Sequence, residues 1–159
     1  MTVSKLKFII PFTLLFILLA ILWTQLSSSR SYAYSSGMVG EKIPSFSAPA
    51  LYSTKNLTNN NLKGRVTLLN FWASWCSAIY GIAFKDDPRD SRAMLKKTGN
   101  PYVKAAYDPN GSVGVDFGIY ATPETFVISP NGSIIYKQIG AIDQYTWDHT
   151  IYPLIRKYQ

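Results

Sequence analysis

The sequence predicts an α/β domain whose sheet closes in an antiparallel hairpin and a last helix, behind an apolar N-terminal segment. Three observations predict it. Residues 65–73, RVTLLNFWA, form a nearly continuous apolar run, the pattern of a strand buried on both faces. Residues 87–99 carry helix punctuation: Asp87 as cap, Pro88 at the first helical position and Gly99 as stop. Apolar runs at 125–128 and 134–139 flank Pro130-Asn131-Gly132, a strong hairpin signal.

The elements follow in order. Residues 8–26 hold 19 residues interrupted only by Thr13, Thr24 and Gln25, and Lys5 and Lys7 precede them. At about 1.5 Å per helical residue the run spans roughly 28 Å, close to the hydrocarbon thickness of a bilayer. Pro11 near its start is tolerated in lipid. A signal anchor is the expectation, with a cytoplasmic tip and transmembrane helix over 1–26. The alternatives are a cleaved signal peptide, for which the segment after the run offers no clear small-x-small site, and a buried helix. Lysines on the short N-terminal side place the tip in the cytoplasm and the remainder outside. Residues 27–40, rich in Ser, Tyr and Gly, form a linker, and 41–159 the folded domain. Within it, 41–60 is extended and loop-like, carrying Pro44 and Pro49. A second buried strand is expected over 79–84, and another over 102–107 before the turn Asp108-Pro109-Asn110-Gly111. A short helix or turn is expected over 113–120, and an amphipathic helix interrupted by Pro153 over 145–158.

The net charge of +7 overstates the basicity of the domain. Lys5, Lys7 and Arg30 account for three of the 16 basic residues, leaving 13 against 9 acidic ones without a basic run. Nucleic-acid binding is unsupported. His149 has no Cys or His at ligand spacing, so a metal site is not expected.

The chemistry centres on Phe71-Trp72-Ala73-Ser74-Trp75-Cys76, where an apolar strand delivers a thiol. A dithiol site wants a second Cys three positions on, but Ile79 stands there and Cys76 is the only cysteine. Exchange passes through a mixed disulfide that another thiolate must attack, so the chain lacks the resolving half of that chemistry.

These motifs resemble a thioredoxin-like domain, more narrowly the membrane-anchored DsbE/CcmG family of cytochrome c maturation. The carriers are Gly40-Glu41-Lys42-Ile43-Pro44-Ser45-Phe46, the strand ending in Trp75-Cys76, Gly81-Ile82-Ala83-Phe84-Lys85-Asp86-Asp87, Gly99-Asn100-Pro101-Tyr102 and Gly118-Ile119-Tyr120-Ala121-Thr122-Pro123-Glu124-Thr125-Phe126. The resemblance implies a thiol:disulfide oxidoreductase on the periplasmic side of a bacterial inner membrane. It would act on apocytochrome c and draw electrons from a membrane thiol reductant, with no bound cofactor. Cys76 would be the attacking thiol and Glu124 the acid that tunes it. Trp75, Thr122 and Pro123 would line the substrate site, with Thr122-Pro123 as a cis-proline segment. Asp86 and Asp87 resemble further tuning acids, although Asp87 serves equally as a helix cap. The alternative is a non-catalytic binding module for apocytochrome or maturation partners.

The resemblance breaks after Ala78. In the family a long helix follows the Cys pair, whereas here Cys76-Ser77-Ala78 runs straight into the next strand, as though ~15–20 residues including the second Cys and the crossover helix were lost. Parallel neighbours ordinarily need a connection of roughly a dozen residues, and residues 74–78 extend at most ~18 Å. Three arrangements are therefore expected for the strands at 65–73 and 79–84: one fused strand, an antiparallel hairpin, or one strand outside the sheet. An apolar sheet face left bare by the lost helix, and a weakened domain, are expected with them.

Overall fold

The computed structural model describes residues 3–27, 37–72 and 80–158. The chain divides into two compact units, Met1–Ser31 and Tyr32–Gln159. In the first, helix α1 spans Val3–Ser27 with Pro11 inside. Its described side chains, residues 10–24, are exposed and largely apolar. Among the described residues no helix is long and apolar enough to cross a membrane. The run expected to span, 8–26, extends at both ends beyond the described side chains.

The second unit begins with β1 (Ser47–Ala48) and β2 (Leu57–Thr58), a small antiparallel pair inside the segment expected to be loop. Ile43, Phe46, Ala48, Leu57 and Leu62 of this segment are buried. Its Pro and Asn content describes the backbone, but those apolar side chains cover the sheet. The remaining elements are β3 (Thr67–Trp72), β4 (Tyr80–Phe84), α2 (Pro88–Thr98), β5 (Lys104–Asp108) and α3 (Ser112–Asp116). They are followed by β6 (Glu124–Ile128), β7 (Ile134–Ile139), α4 (Gln144–Thr146), a π-helical turn (Trp147–Ile151) and α5 (Tyr152–Lys157). The sheet order is β5-β4-β3-β6-β7, with β4 and β5 parallel to the central strand and β6 antiparallel to it.

The parallel pairing of β3 and β4 corrects the sequence-based expectation. Leu69 lies opposite Tyr80 and Trp72 opposite Ala83. None of the three expected arrangements occurs, because the register is staggered. The start of β4 at Tyr80 is offset from the end of β3 at Trp72 by three residues along the strand, about 10 Å, and by one strand spacing of about 4.8 Å. Residues 73–79 reach about 25 Å when extended, so no crossover helix is required to close the connection. All six residues of β3 and all five of β6 are buried, and four of the five in β4. The bare apolar sheet face is therefore not found among the described residues.

One face of β3 sends Leu69 and Phe71 into the main core. There Phe71 meets Phe117 at 5.1 Å between ring centroids and Phe126 at 5.9 Å, while Phe46 meets Phe117 edge-on at 5.5 Å. On the other face Trp72 stacks on Tyr102 at 5.3 Å beside Leu95 of α2, and Leu68 packs with Val127 and with Ile151 of the π-helical turn. Pro153 lacks an N–H to continue the helical ladder, and the π turn immediately precedes α5, where Pro153 occupies the first turn.

Helix α2 is built as its sequence predicts. The Asp87 carboxylate accepts from Arg89 N at 2.7 Å, Pro88 opens the helix, and Gly99 ends it at φ 88°. The Arg89 side chain and amide hold the Asp87 carboxyl down at about 2. Its cap is thus complete above the ordinary carboxylate range near 4 and is lost as pH falls towards 2.

Three outcomes follow. The carboxyl of Asp87, observed by NMR titration, turns over near 2 in the parent and moves up towards the ordinary value in Arg89→Ala; an unmoved midpoint would contradict the Arg89 contact. A Cβ on Gly81 would lie 2.6 Å from Tyr102 Cε1 and 2.8 Å from Trp72 Nε1, so Gly81→Ala costs about 1–3 kcal/mol in urea denaturation. Phe117→Ala, which empties the middle of the aromatic core, costs about 3–5 kcal/mol in the same measurement, and a loss under ~1 kcal/mol would deny that packing.

Candidate functional site

The site grows from the C-terminal end of β3. In the antiparallel pair, Phe71 lies opposite Glu124. Trp72 ends β3 and Pro123 precedes Glu124, so the loop entering β6 lies level with the strand end from which the Cys76 segment departs. The Thr122–Pro123 bond in that loop is cis, as the resemblance implies. Of the five site residues expected from sequence, Thr122, Pro123 and Glu124 are brought together at this end of the sheet. Cys76 and Trp75 lie outside the described residues.

Glu124 is fully buried. Its Oε1 accepts from the backbone N–H groups of Tyr120, at 3.0 Å, and Ala121, at 3.1 Å. Its Oε2 lies 2.7 Å from Lys137 Nζ, and the two side chains are 1% and 3% exposed. Oε2 does not meet hydrogen-bond alignment. At that separation between buried opposite charges the attraction needs no alignment, and we treat the contact as an ion pair. Lys137 Nζ also donates to Gly118 O at 2.8 Å and sits 5.2 Å from the centre of the Phe126 ring. Pro123 O accepts from Gly140 N at 2.8 Å. The loop before β6 is thus bound through Gly118, Tyr120, Ala121 and Pro123, while the Tyr120 side chain is 92% exposed.

Sequence reasoning missed Lys137. A carboxylate in a buried strand calls for a cation, and the neighbouring strand supplies one. Counting outward from the Asn131-Gly132 turn nevertheless misplaces it. A bulge between Val127 and Ile128 sets Ile128 opposite Ile134 but Val127 opposite Tyr136, which carries Lys137 to Phe126 and onto the face of Glu124.

Beside this end, Asn70 Oδ1 accepts from Thr125 Oγ1 at 3.1 Å, and Asn70 Nδ2 donates to Tyr102 Oη at 3.4 Å, a buried polar thread through the sheet. Trp72 Nε1 is buried, with no hydrogen-bond partner among the described residues. Asp86 and Asp87 follow β4 at the same end, but both are engaged locally. Asp86 Oδ2 accepts from Ser91 Oγ at 2.8 Å, and Asp87 caps α2. No group of His, Cys, Asp and Glu able to hold a metal occurs among the described residues.

No protein-family model matches the chain. Curated relatives do. The thiol:disulfide interchange protein DsbE of Allochromatium vinosum is 35% identical over 78% of this chain and 79% of its own length. DsbE of Escherichia coli K12 is 33% identical over 77% of each chain. DsbE of Vibrio cholerae is 31% identical over 93% of this chain and 92% of its own. Among solved structures, a putative DsbE from Chlorobium tepidum superposes with TM-score 0.62 at 20% identity, covering 74% of this chain and 94% of that one. A putative thioredoxin from Neisseria meningitidis gives 0.59 at 26% identity, covering 72% and 89%. The structural likeness establishes the thioredoxin-like fold, and with the sequence identity to full-length relatives it follows that this chain belongs to the DsbE family of thiol:disulfide interchange proteins.

Proposed function

We propose that this chain is a monothiol member of its family, one that captures a disulfide-bearing partner at Cys76 and cannot release it with a thiol of its own. One observation carries the reading: the Phe71–Glu124 register brings the strand end that leads to Cys76 level with the loop of Thr122 and Pro123. A partner segment held along that loop has its disulfide at the end of the sheet where the thiol is delivered. The Cys76 thiolate attacks one sulfur of the partner disulfide, a Cys76–partner S–S bond forms, and the other partner sulfur leaves as a thiolate and takes a proton. A family enzyme completes the cycle with its second Cys. With Ile79 in that position, the adduct persists until an external thiol, or the partner's own released thiol, attacks it.

Trp75 lines the site, Thr122 and Pro123 dock the segment, and Glu124 acts with its charge already met by Lys137. The partner is a periplasmic protein with a closely spaced Cys pair, apocytochrome c by family resemblance. Cys76-Ser77-Ala78 running straight into the next strand, with Ile79 where a second Cys would stand, supports the loss of the family's crossover helix and second Cys. The apolar run at 8–26 behind Lys5 and Lys7 supports a single-pass inner-membrane anchor, residues 27–40 a tether, and 41–159 a periplasmic domain.

Incubation of the full chain in detergent with an oxidised peptide bearing a Cys-X-X-Cys disulfide tests the chemistry. A one-to-one mixed disulfide accumulates on non-reducing mass analysis, vanishes in Cys76→Ser, and is accompanied by no catalytic reduction of insulin. An adduct that survives Cys76→Ser, or multiple turnovers by the parent chain, would overturn the reading. For the anchor, the chain is expected to stay with membranes through alkaline extraction, and extraction into the soluble fraction would remove that part.

A further inference from the structure

A carboxylate and an ammonium buried together in a sheet are an unusual arrangement. Desolvating each ion costs several kcal/mol, and their attraction offsets this only when the remaining donors and acceptors are met. Apolar residues of similar volume commonly serve stability as well. What such a pair does better is fix a geometry, and the groups that this one binds are informative. Glu124 accepts from Tyr120 N and Ala121 N, and Lys137 donates to Gly118 O. All three belong to the non-helical, non-strand stretch ahead of Pro123, where α3 carbonyls take up Gly118 N and Ile119 N and these three groups turn to the buried pair instead. Gly118 O depends on Lys137 directly. The two amides depend on it through Glu124, since removing the cation leaves a buried charge uncompensated and the carboxylate is no longer held against them.

We propose that Lys137 is a positioning residue for the docking loop: its buried ammonium, held between Glu124 and Gly118 O, sets the backbone conformation of residues 118–123 on which a partner segment is aligned. This deepens the functional reading above and rests on it for the docking step alone. Lys137 is 3% exposed and acts through Glu124 and Gly118 O. Its contribution is the shape of the loop, and with it the outward presentation of Tyr120, whose amide is tied to Glu124 while its ring stands in solvent. A partner that lays an extended segment along the loop needs this shape. A small disulfide that offers no such segment does not.

Hydrogen exchange and adduct kinetics on the full-length chain separate the possibilities. In Lys137→Met the amides of Tyr120 and Ala121 exchange at least about tenfold faster, while those of Leu69 and Phe71 in the central strand keep their protection. Unchanged exchange at Tyr120 and Ala121 overturns the proposal whatever the thiol does. In mixed-disulfide formation, the rate with a Cys-X-X-Cys peptide falls about tenfold relative to the rate with oxidised glutathione. The loss appears in the half-saturating peptide concentration, and Lys137→Arg restores it. A parallel fall with both disulfides would make Lys137 a determinant of thiol reactivity instead, and overturns the positioning role. Absence of any adduct in the parent chain refutes the functional reading above while leaving the exchange result to decide the loop. Should Lys137→Met not fold, the double variant Glu124→Gln with Lys137→Met leaves no lone buried charge. It is expected to exchange at Tyr120 and Ala121 at least about threefold faster than the parent, because a neutral amide oxygen is the weaker acceptor; parental protection in that variant overturns the proposal.

Discussion

The register of one short strand governs this domain. β3 is buried on both faces between a parallel and an antiparallel neighbour, and its two pairings each fix something the rest requires. Leu69 opposite Tyr80 brings β4 within reach of a connection too short for a crossover helix. Phe71 opposite Glu124 brings the Pro123 loop to the strand end that leads to the thiol. A slip of one residue against either neighbour would turn Leu69 and Phe71 out of the cluster they form with Phe117 and Phe126. Aromatic packing on one face and the Trp72–Tyr102 stack on the other therefore hold the register, and the register holds the site.

Around that strand the polar groups are spent on specificity. The thread from Thr125 through Asn70 to Tyr102 ties β6 to β3 and to the segment before β5. The Glu124–Lys137 pair ties β6 to β7 and then to the loop ahead of Pro123. Buried polar groups satisfied in this way select one arrangement among several compact ones, because any alternative strands them in a medium of low polarity. The acidic pair after β4 is used differently: Asp86 and Asp87 start α2 and are engaged there.

A relative that keeps the sheet and the docking loop while carrying a single cysteine separates two parts of the family chemistry. On the proposed reading, alignment of a partner falls to the loop and to the charges beneath it. Release of the partner depends on a second thiol, which Cys76 alone cannot provide. The described strands pair in the order β5-β4-β3-β6-β7, with Leu69 opposite Tyr80 on the two sides of residues 73–79.

Much of this was legible in the residues. Asp87, Pro88 and Gly99 announce α2, and Asn131-Gly132 announces the β6–β7 turn, because caps and tight turns are set by neighbours in the chain. The thioredoxin-like plan followed from motifs, as did the cis bond at Thr122–Pro123. The burial of Ile43, Phe46, Leu57 and Leu62 in a segment rich in turn formers did not, since composition reports the backbone's habits and not what the side chains find to cover. The parallel β3–β4 pair escaped because connection length alone says nothing of stagger. Lys137 escaped for a sharper reason. Periodicity counted from the turn assigns it to the wrong face, and the single bulge that reverses the assignment arises from the packing of two strands against the sheet, which no local rule encodes.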